Sequence, residues 1–206
     1  MKNLKIVLLT LSLFAAQFSM AEPNEDLVKA IEEKNIENLK AAIDAGADVN
    51  QTFEHYLLWQ LNRTKFKKFT PLMLASAAGF SEGVLYLLHA KAKVKATANG
   101  GVGVYYKTFP VSSVKDVTAL HLACGNGHAE VVKLLIQAKA NKIQIMAIKA
   151  NALKNKQGFG YVDFANGVAN FLPKKWAKKN GHENVVALLK ESRKAKWAKT
   201  GLPSID

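Results

Sequence analysis

Apolar residues along this chain fall into four blocks that repeat one another. Thr70-Pro71-Leu72-Met73-Leu74-Ala75 is echoed by Thr118-Ala119-Leu120-His121-Leu122-Ala123, and a glycine follows nine residues after each threonine, at Gly79 and Gly127. Further on, Phe80 matches His128, Glu82 matches Glu130, Val84 matches Val132, and Leu87-Leu88 matches the pair Leu134-Ile136. A third copy runs Gly181-His182-Glu183-Asn184-Val185-Val186-Ala187-Leu188-Leu189, with Leu172-Pro173 and Trp176-Ala177 upstream of it. A weaker copy spans Leu27 to Asn50, its end Ala45-Gly46-Ala47-Asp48-Val49-Asn50 matching Ala90-Lys91-Ala92-Lys93-Val94-Lys95. Each block predicts two helices. Thr caps the first and Pro suits its first turn. Apolar residues at helical spacing face a neighbour. The glycine permits a left-handed turn, and a longer helix with its own stripe (Val131, Val132, Leu134, Leu135) follows. One such pair cannot bury its apolar face alone, whereas stacked pairs can.

This pattern resembles the ankyrin repeat family, most specifically in Thr118-Ala119-Leu120-His121-Leu122-Ala123 with Gly127-His128 and Val131-Val132. The resemblance implies an all-α fold: an ankyrin solenoid of about four helix pairs, near 25–50, 70–95, 118–142 and 172–193, joined by elongated finger loops. It also implies that His121, His128 and His182 bond between adjacent units. The first unit lacks the Thr-Pro-Leu-His segment and carries Asp26, Lys29, Glu32 and Glu33, as a polar cap would. The last has Lys175 in the His place and runs into Lys190-Glu191-Ser192-Arg193-Lys194, a C-terminal cap with a basic tail.

The units begin near Glu25, Thr70, Thr118 and Leu172, so their spacings are 45, 48 and 54 residues. Against a period of about 33, the three connections carry roughly 12, 15 and 21 extra residues. Insertions of this kind collect on one face, often the binding face. The first contains Phe53, His55, Tyr56, Trp59, Arg63 and Phe66, and Tyr56-Leu57-Leu58-Trp59 fits a helical turn or two. In the second, Gly100-Gly101-Val102-Gly103 suits a turn and Val104-Tyr105-Tyr106-Lys107-Thr108-Phe109-Pro110-Val111 suits an extended strand. The third opens with Ile143-Gln144-Ile145-Met146-Ala147-Ile148, apolar at helical spacing, and continues Gly158-Phe159-Gly160-Tyr161-Val162-Asp163-Phe164. Flexible linkers are Gly/Ser-rich and poor in aromatics, whereas Tyr, Trp and Arg are enriched at binding hot spots. The alternative is that the aromatics form the fingers' own core.

Residues 1–21 are expected to be a signal peptide. Met1 to Lys5 carries two positive charges, Ile6 to Ala16 is apolar apart from Thr10 and Ser12, and Ser19 and Ala21 stand at the small-residue positions of a cleavage site. The run is too short to span ~30 Å of hydrocarbon. The mature chain, 22–206, forms the repeat domain and is expected in a bacterial periplasm, or secreted, without a membrane span.

Chemistry is sparse. Cys124 is the single thiol, and although His121 lies one helical turn away, it sits where the repeat puts a small buried residue, Ser76 in the preceding unit. His55 and His89 have no partners at a metal-ligand spacing. Gly100-Gly101-Val102-Gly103 lacks the lysine of a phosphate loop, and Glu54, Asp116 and Asp163 make no acid–base pair. We expect no catalytic residues, no cofactor and no metal.

Charge adds the remaining clue. The 206 residues carry 29 Lys+Arg and 16 Asp+Glu, net +13. Residues 22–132 balance at 12 of each sign, while 133–206 hold 15 basic and 4 acidic residues. Export argues against nucleic acid, and an excess this large exceeds what capping requires, so an anionic partner is expected. The functional expectation is an exported binding protein, monomeric when free, that inhibits or sequesters an acidic protein such as a cell-wall-acting enzyme or a toxin, for self-protection or immunity. Its contacts would be Tyr56, Trp59, Arg63, Tyr105, Tyr106, Phe109, Phe159 and Tyr161 on the fingers, with Lys174, Lys175, Lys178 and Lys179 steering association. The alternatives are an envelope-surface binder of anionic lipid or cell-wall polymer, or an accessory factor in periplasmic stress defence.

Overall fold

The computed structural model describes residues 22–59, 62–102, 112–142, 146–150, 168–192 and 194–205. Four helix pairs stand in single file: α1 (Pro23–Glu32) with α2 (Ile36–Asp44), α3 (Pro71–Ala78) with α4 (Ser81–His89), α5 (Ala119–Gly125) with α6 (Ala129–Gln137), and α7 (Pro173–Lys179) with α8 (Glu183–Glu191). The first helix of each pair packs on the first helix of the next, and the second helices do likewise. The local causes lie in the sequence. Thr70 accepts from the Met73 N–H at 3.3 Å, and Pro71 takes the first helical position, where no N–H is needed. Thr118 forms a reciprocal capping box with His121. Gly79, Gly127 and Gly181 all turn left-handed, at φ +71°, +77° and +80°. Helices α3 and α5 are buried on every side, whereas α6 buries one stripe, Val131, Val132, Leu134, Leu135 and Ile136.

The fold is not all-α. The connections form a six-stranded antiparallel sheet: β1 (Phe53–Trp59), β2 (Asn62–Phe69), β3 (Ala98–Val102), β4 (Ser112–Val117), β5 (Met146–Ala150) and β6 (Val168–Phe171), hydrogen-bonded in sequence order. The architecture is therefore mixed, a helical stack bearing a sheet. Three local expectations change with it. Tyr56 to Trp59 is strand, not helical turn; Met146 to Ile148 is strand, not helix; and Gly100-Gly101 lies within β3, not at a turn. The physical reason is common to all three. A long hairpin leaves backbone groups unpaired along both edges, and three parallel-stacked hairpins can satisfy one another's edges where a helix could not.

Register explains the glycines. Phe66 pairs across to Gly100, and a β-carbon on Gly100 would lie 2.9 Å from Phe66 Cδ1. The ring occupies the space a side chain would need. A bulge then recurs in two successive hairpins, with Lys67-Lys68 opposite Glu54 and Lys115-Asp116 opposite Asn99. Lys68 and Asp116 have left-handed φ of +58° and +57°. Such bulges bend a strand and increase its twist, here just before Thr70 and Thr118 cap the next helix.

After α8 the chain runs back over the outer helices. Gln137 Nε2 donates to Trp197 O at 3.3 Å, and His89 Nε2 hydrogen-bonds Pro203 O at 2.7 Å. Trp197 and Leu202 pack partly buried against the core.

Candidate functional site

Alternation along the strands gives the sheet two unlike faces. His55, Phe66, Gly100 and Val114 lie in one cross-strand row, with Phe66 and Val114 buried. Behind them, Phe69 stacks on His55 at 5.4 Å between ring centroids, and Phe53 meets Phe69 edge-on at 6.1 Å. Three of the aromatic residues counted on the first finger, Phe53, His55 and Phe66, thus join this internal cluster. The opposite row is Tyr56, Lys65, Gly101 and Ser113, with Lys149 at the next register position. Among the described residues Tyr56 is the large aromatic that stands out, 48% exposed. Lys65 Nζ lies 5.8 Å from the centre of its ring and pairs with Glu54. That hydrogen bond holds the Glu54 carboxyl below, and the Lys65 ammonium above, their ordinary ranges. Lys67, Lys68 and Lys115 are exposed, while Gly101 has open space where a side chain would be. The result is a broad basic face with a low point at Gly101.

The predicted contact residues divide. Trp59 and Arg63 lie in β1 and β2 near the first hairpin tip. Tyr105, Tyr106, Phe109, Phe159 and Tyr161 lie outside the described residues. Lys174, Lys175, Lys178 and Lys179 are all exposed on α7, with Trp176 and Ala177 turned inward. Lys179 Nζ sits 5.8 Å from the centre of the Trp176 ring. Sequence reasoning missed Lys65, Lys67 and Lys115. The signal was present in Thr64-Lys65-Phe66-Lys67, whose two-residue alternation marks a half-buried strand.

The remaining titratable groups serve the scaffold. Cys124 is fully buried, and burial pushes its thiol well above the ordinary range, which leaves it inert. His128 Nε2 donates to Ala77 O at 3.0 Å and His182 Nε2 to Gly125 O at 2.8 Å, each linking one unit to the preceding one. His121 is tied to Thr118 in its own unit, with Nδ1 accepting the Thr118 N–H at 3.3 Å. Among the described residues no group of three or more His, Cys, Asp or Glu could hold a metal ion, and no helix is long and apolar enough to cross a membrane.

His128 makes stability depend on pH. Burial lowers its pKa most, the nearby charges of Lys34 and His182 add to this, and the Ala77 bond works the other way. Burial likewise lowers His55, against the opposing pull of Glu32. Above the ordinary imidazole pKa of about 6.5 both folded and unfolded forms are neutral. Below it the unfolded chain takes up protons first, so stability falls on acidification. Denaturant midpoints should therefore drop between about pH 6.5 and the lowered folded values. His128→Gln, which keeps an N–H for Ala77 O, should flatten that slope. An unchanged slope would assign the pH dependence elsewhere.

The ankyrin repeat family model matches residues 115–146, which hold the end of β4, all of α5 and α6 and the turn after them. That segment is an ankyrin repeat. The matched segment contains the capping box, the left-handed Gly127 and His128; the second and fourth units repeat the left-handed glycine, at Gly79 and Gly181, and the fourth repeats the histidine at His182. No curated protein matches the chain. Ankyrin repeats are a protein-interaction fold, so a protein partner is implied.

Proposed function

We propose that this protein is an exported, non-catalytic ankyrin scaffold that binds the acidic face of a protein partner in the bacterial envelope and inhibits or sequesters it. The partner class that fits is an exported cell-wall-acting enzyme or toxin, with self-protection as the purpose. One observation carries the reading: the sheet that replaces ordinary finger loops presents Tyr56 and the lysines Lys65, Lys67, Lys68 and Lys115 on one open face. A tyrosine anchor set among lysines suits an acidic protein surface, the aromatic supplying contact area and the charges steering encounter. Export is supported by the leader pattern and by α1, which begins at Pro23, just after the expected cut at Ala21.

The test uses tagged mature chain on periplasmic extract. A stoichiometric acidic partner should co-purify at moderate salt. Tyr56→Ala combined with Lys67→Glu and Lys115→Glu should weaken its binding by about 10- to 100-fold. Lys40→Ala, on the outer helix α2, should not. Retention by the triple variant would sink the sheet-face reading, and mature protein that does not begin at Glu22 would sink the export reading.

A further inference from the structure

The repeat supplies its own control for a feature at the junction of the second and third units. Asn24 Oδ1 accepts from the Asp48 N–H at 2.8 Å, and Asn50 Oδ1 accepts from the Lys93 N–H at 2.8 Å. Asn50 also donates to Lys91 O at 3.3 Å. A short neutral amide thus closes the turn after the outer helix in both early units. The next residue in this series is Lys95, since Ala90 to Lys95 matches Ala45 to Asn50. Lysine has three donors and no acceptor.

A recess of about 50 Å³ lies there, lined by Val94, Lys95, Thr118, Ala140 and Asn141. It adjoins an open groove of about 360 Å³ lined by Lys95, Lys139, Ala140, Asn141 and Lys142. Three lysines therefore line one groove, and the described residues of its lining include no carboxylate. The ion pairs among the described residues include none of the three. Lys142 Nζ donates to Ser192 Oγ at 3.4 Å, so the fourth unit helps fix its place. Lys139 is left-handed, φ +63°, where the first unit has Gly46. The second unit also has a left-handed lysine at this place, Lys91 at φ +67°, although a β-carbon loses stability in that conformation. Clustered like charges repel, and an anion between them removes the repulsion.

We infer that this junction is a binding site for a phosphate-class oxyanion. The groove takes a compact group with several acceptor oxygens, held by Lys95, Lys139 and Lys142. This site is separate from the sheet face and does not rest on the function proposed above. Free phosphate and a phosphate borne on a lipid headgroup present the same chemistry to the lysines.

The test is thermal unfolding of the mature chain titrated with inorganic phosphate, with chloride at matched ionic strength as the control. Phosphate should raise Tm saturably, with half-effect in roughly the millimolar range, and chloride should not. Lys95→Asn restores the amide of the earlier units. It should leave Tm without phosphate at or above the original value and abolish the phosphate shift. Lys139→Gly removes a second cation and relieves the left-handed strain, and it should weaken the shift by at least about tenfold in phosphate concentration. Vesicles of phosphatidylglycerol, with neutral phosphatidylcholine vesicles as the reference, distinguish the sources. Binding that free phosphate displaces assigns the headgroup, and no vesicle binding beside a saturable phosphate shift assigns free phosphate. A phosphate response no greater than that of chloride, or one that survives in both variants, overturns the inference.

Discussion

Phe66→Ala should lower stability by about 3–5 kcal/mol, the range for emptying a buried aromatic site. Phe66 is fully buried and packs on Phe69 at 5.5 Å between ring centroids. Its cross-strand neighbour is Gly100, which has no side chain to move into the space. The cavity therefore cannot close from that side, which places the loss toward the upper part of the range. Gly100→Ala supplies the matching half of a double-mutant cycle. Alone it should destabilise, because its β-carbon meets the Phe66 ring. In the Phe66→Ala background that collision is gone, and the two changes should couple strongly. Chemical unfolding measures both. Amide exchange should show β2 and β3 losing protection ahead of the helices, since the solenoid units contact mainly their neighbours. A loss below about 1 kcal/mol would mean that the sheet is not anchored through Phe66.

The helical stack was legible because its determinants are local. Thr70 and Thr118 cap within three residues, Gly79, Gly127 and Gly181 mark the turns, and the apolar stripes recur at helical spacing. The sheet was not, because its determinants are non-local. Phe66 finds Gly100 and Val114 finds Ile148, each 34 residues on. Without those partners, Gly100-Gly101 carries the composition of a turn, and the short apolar run Met146-Ala147-Ile148 fits either a helix or a strand. The bulge at Lys67-Lys68 further breaks the two-residue alternation that would have identified β2. The basic sheet face went unseen for the same reason, since it assembles from lysines on β2 and β4 that only the pairing brings together. The lysine groove is different. The replacement of Asn50 by Lys95 is visible on aligning the units, but its meaning required knowing what Asn50 does.

Gly127→Ala should cost more than Gly181→Ala, though both residues sit in the same turn of successive units at nearly the same φ, +77° and +80°. Each alanine incurs the left-handed strain, about 1–2 kcal/mol. They differ in what stands beyond. A β-carbon on Gly127 would lie 2.6 Å from His182 Nδ1, whereas one on Gly181 meets nothing within 4 Å. His182 is also the group whose Nε2 reaches Gly125 O at 2.8 Å. Displacing the ring therefore breaks a hydrogen bond that ties the fourth unit to the third. The same lock operates one unit earlier, where His128 and Asn126 both donate to Ala77 O, at 3.0 and 2.8 Å. Adding the lost bond brings Gly127→Ala to about 2–4 kcal/mol. Because coupling in a solenoid passes between neighbours, the fourth unit should loosen first, with α7 and α8 losing exchange protection before α5 and α6. Equal losses at the two glycines would show that the turn conformation matters and the histidine lock does not. A larger loss at Gly127 makes that lock an element that holds the fourth unit, with Lys174, Lys175, Lys178 and Lys179 on its first helix, against the third.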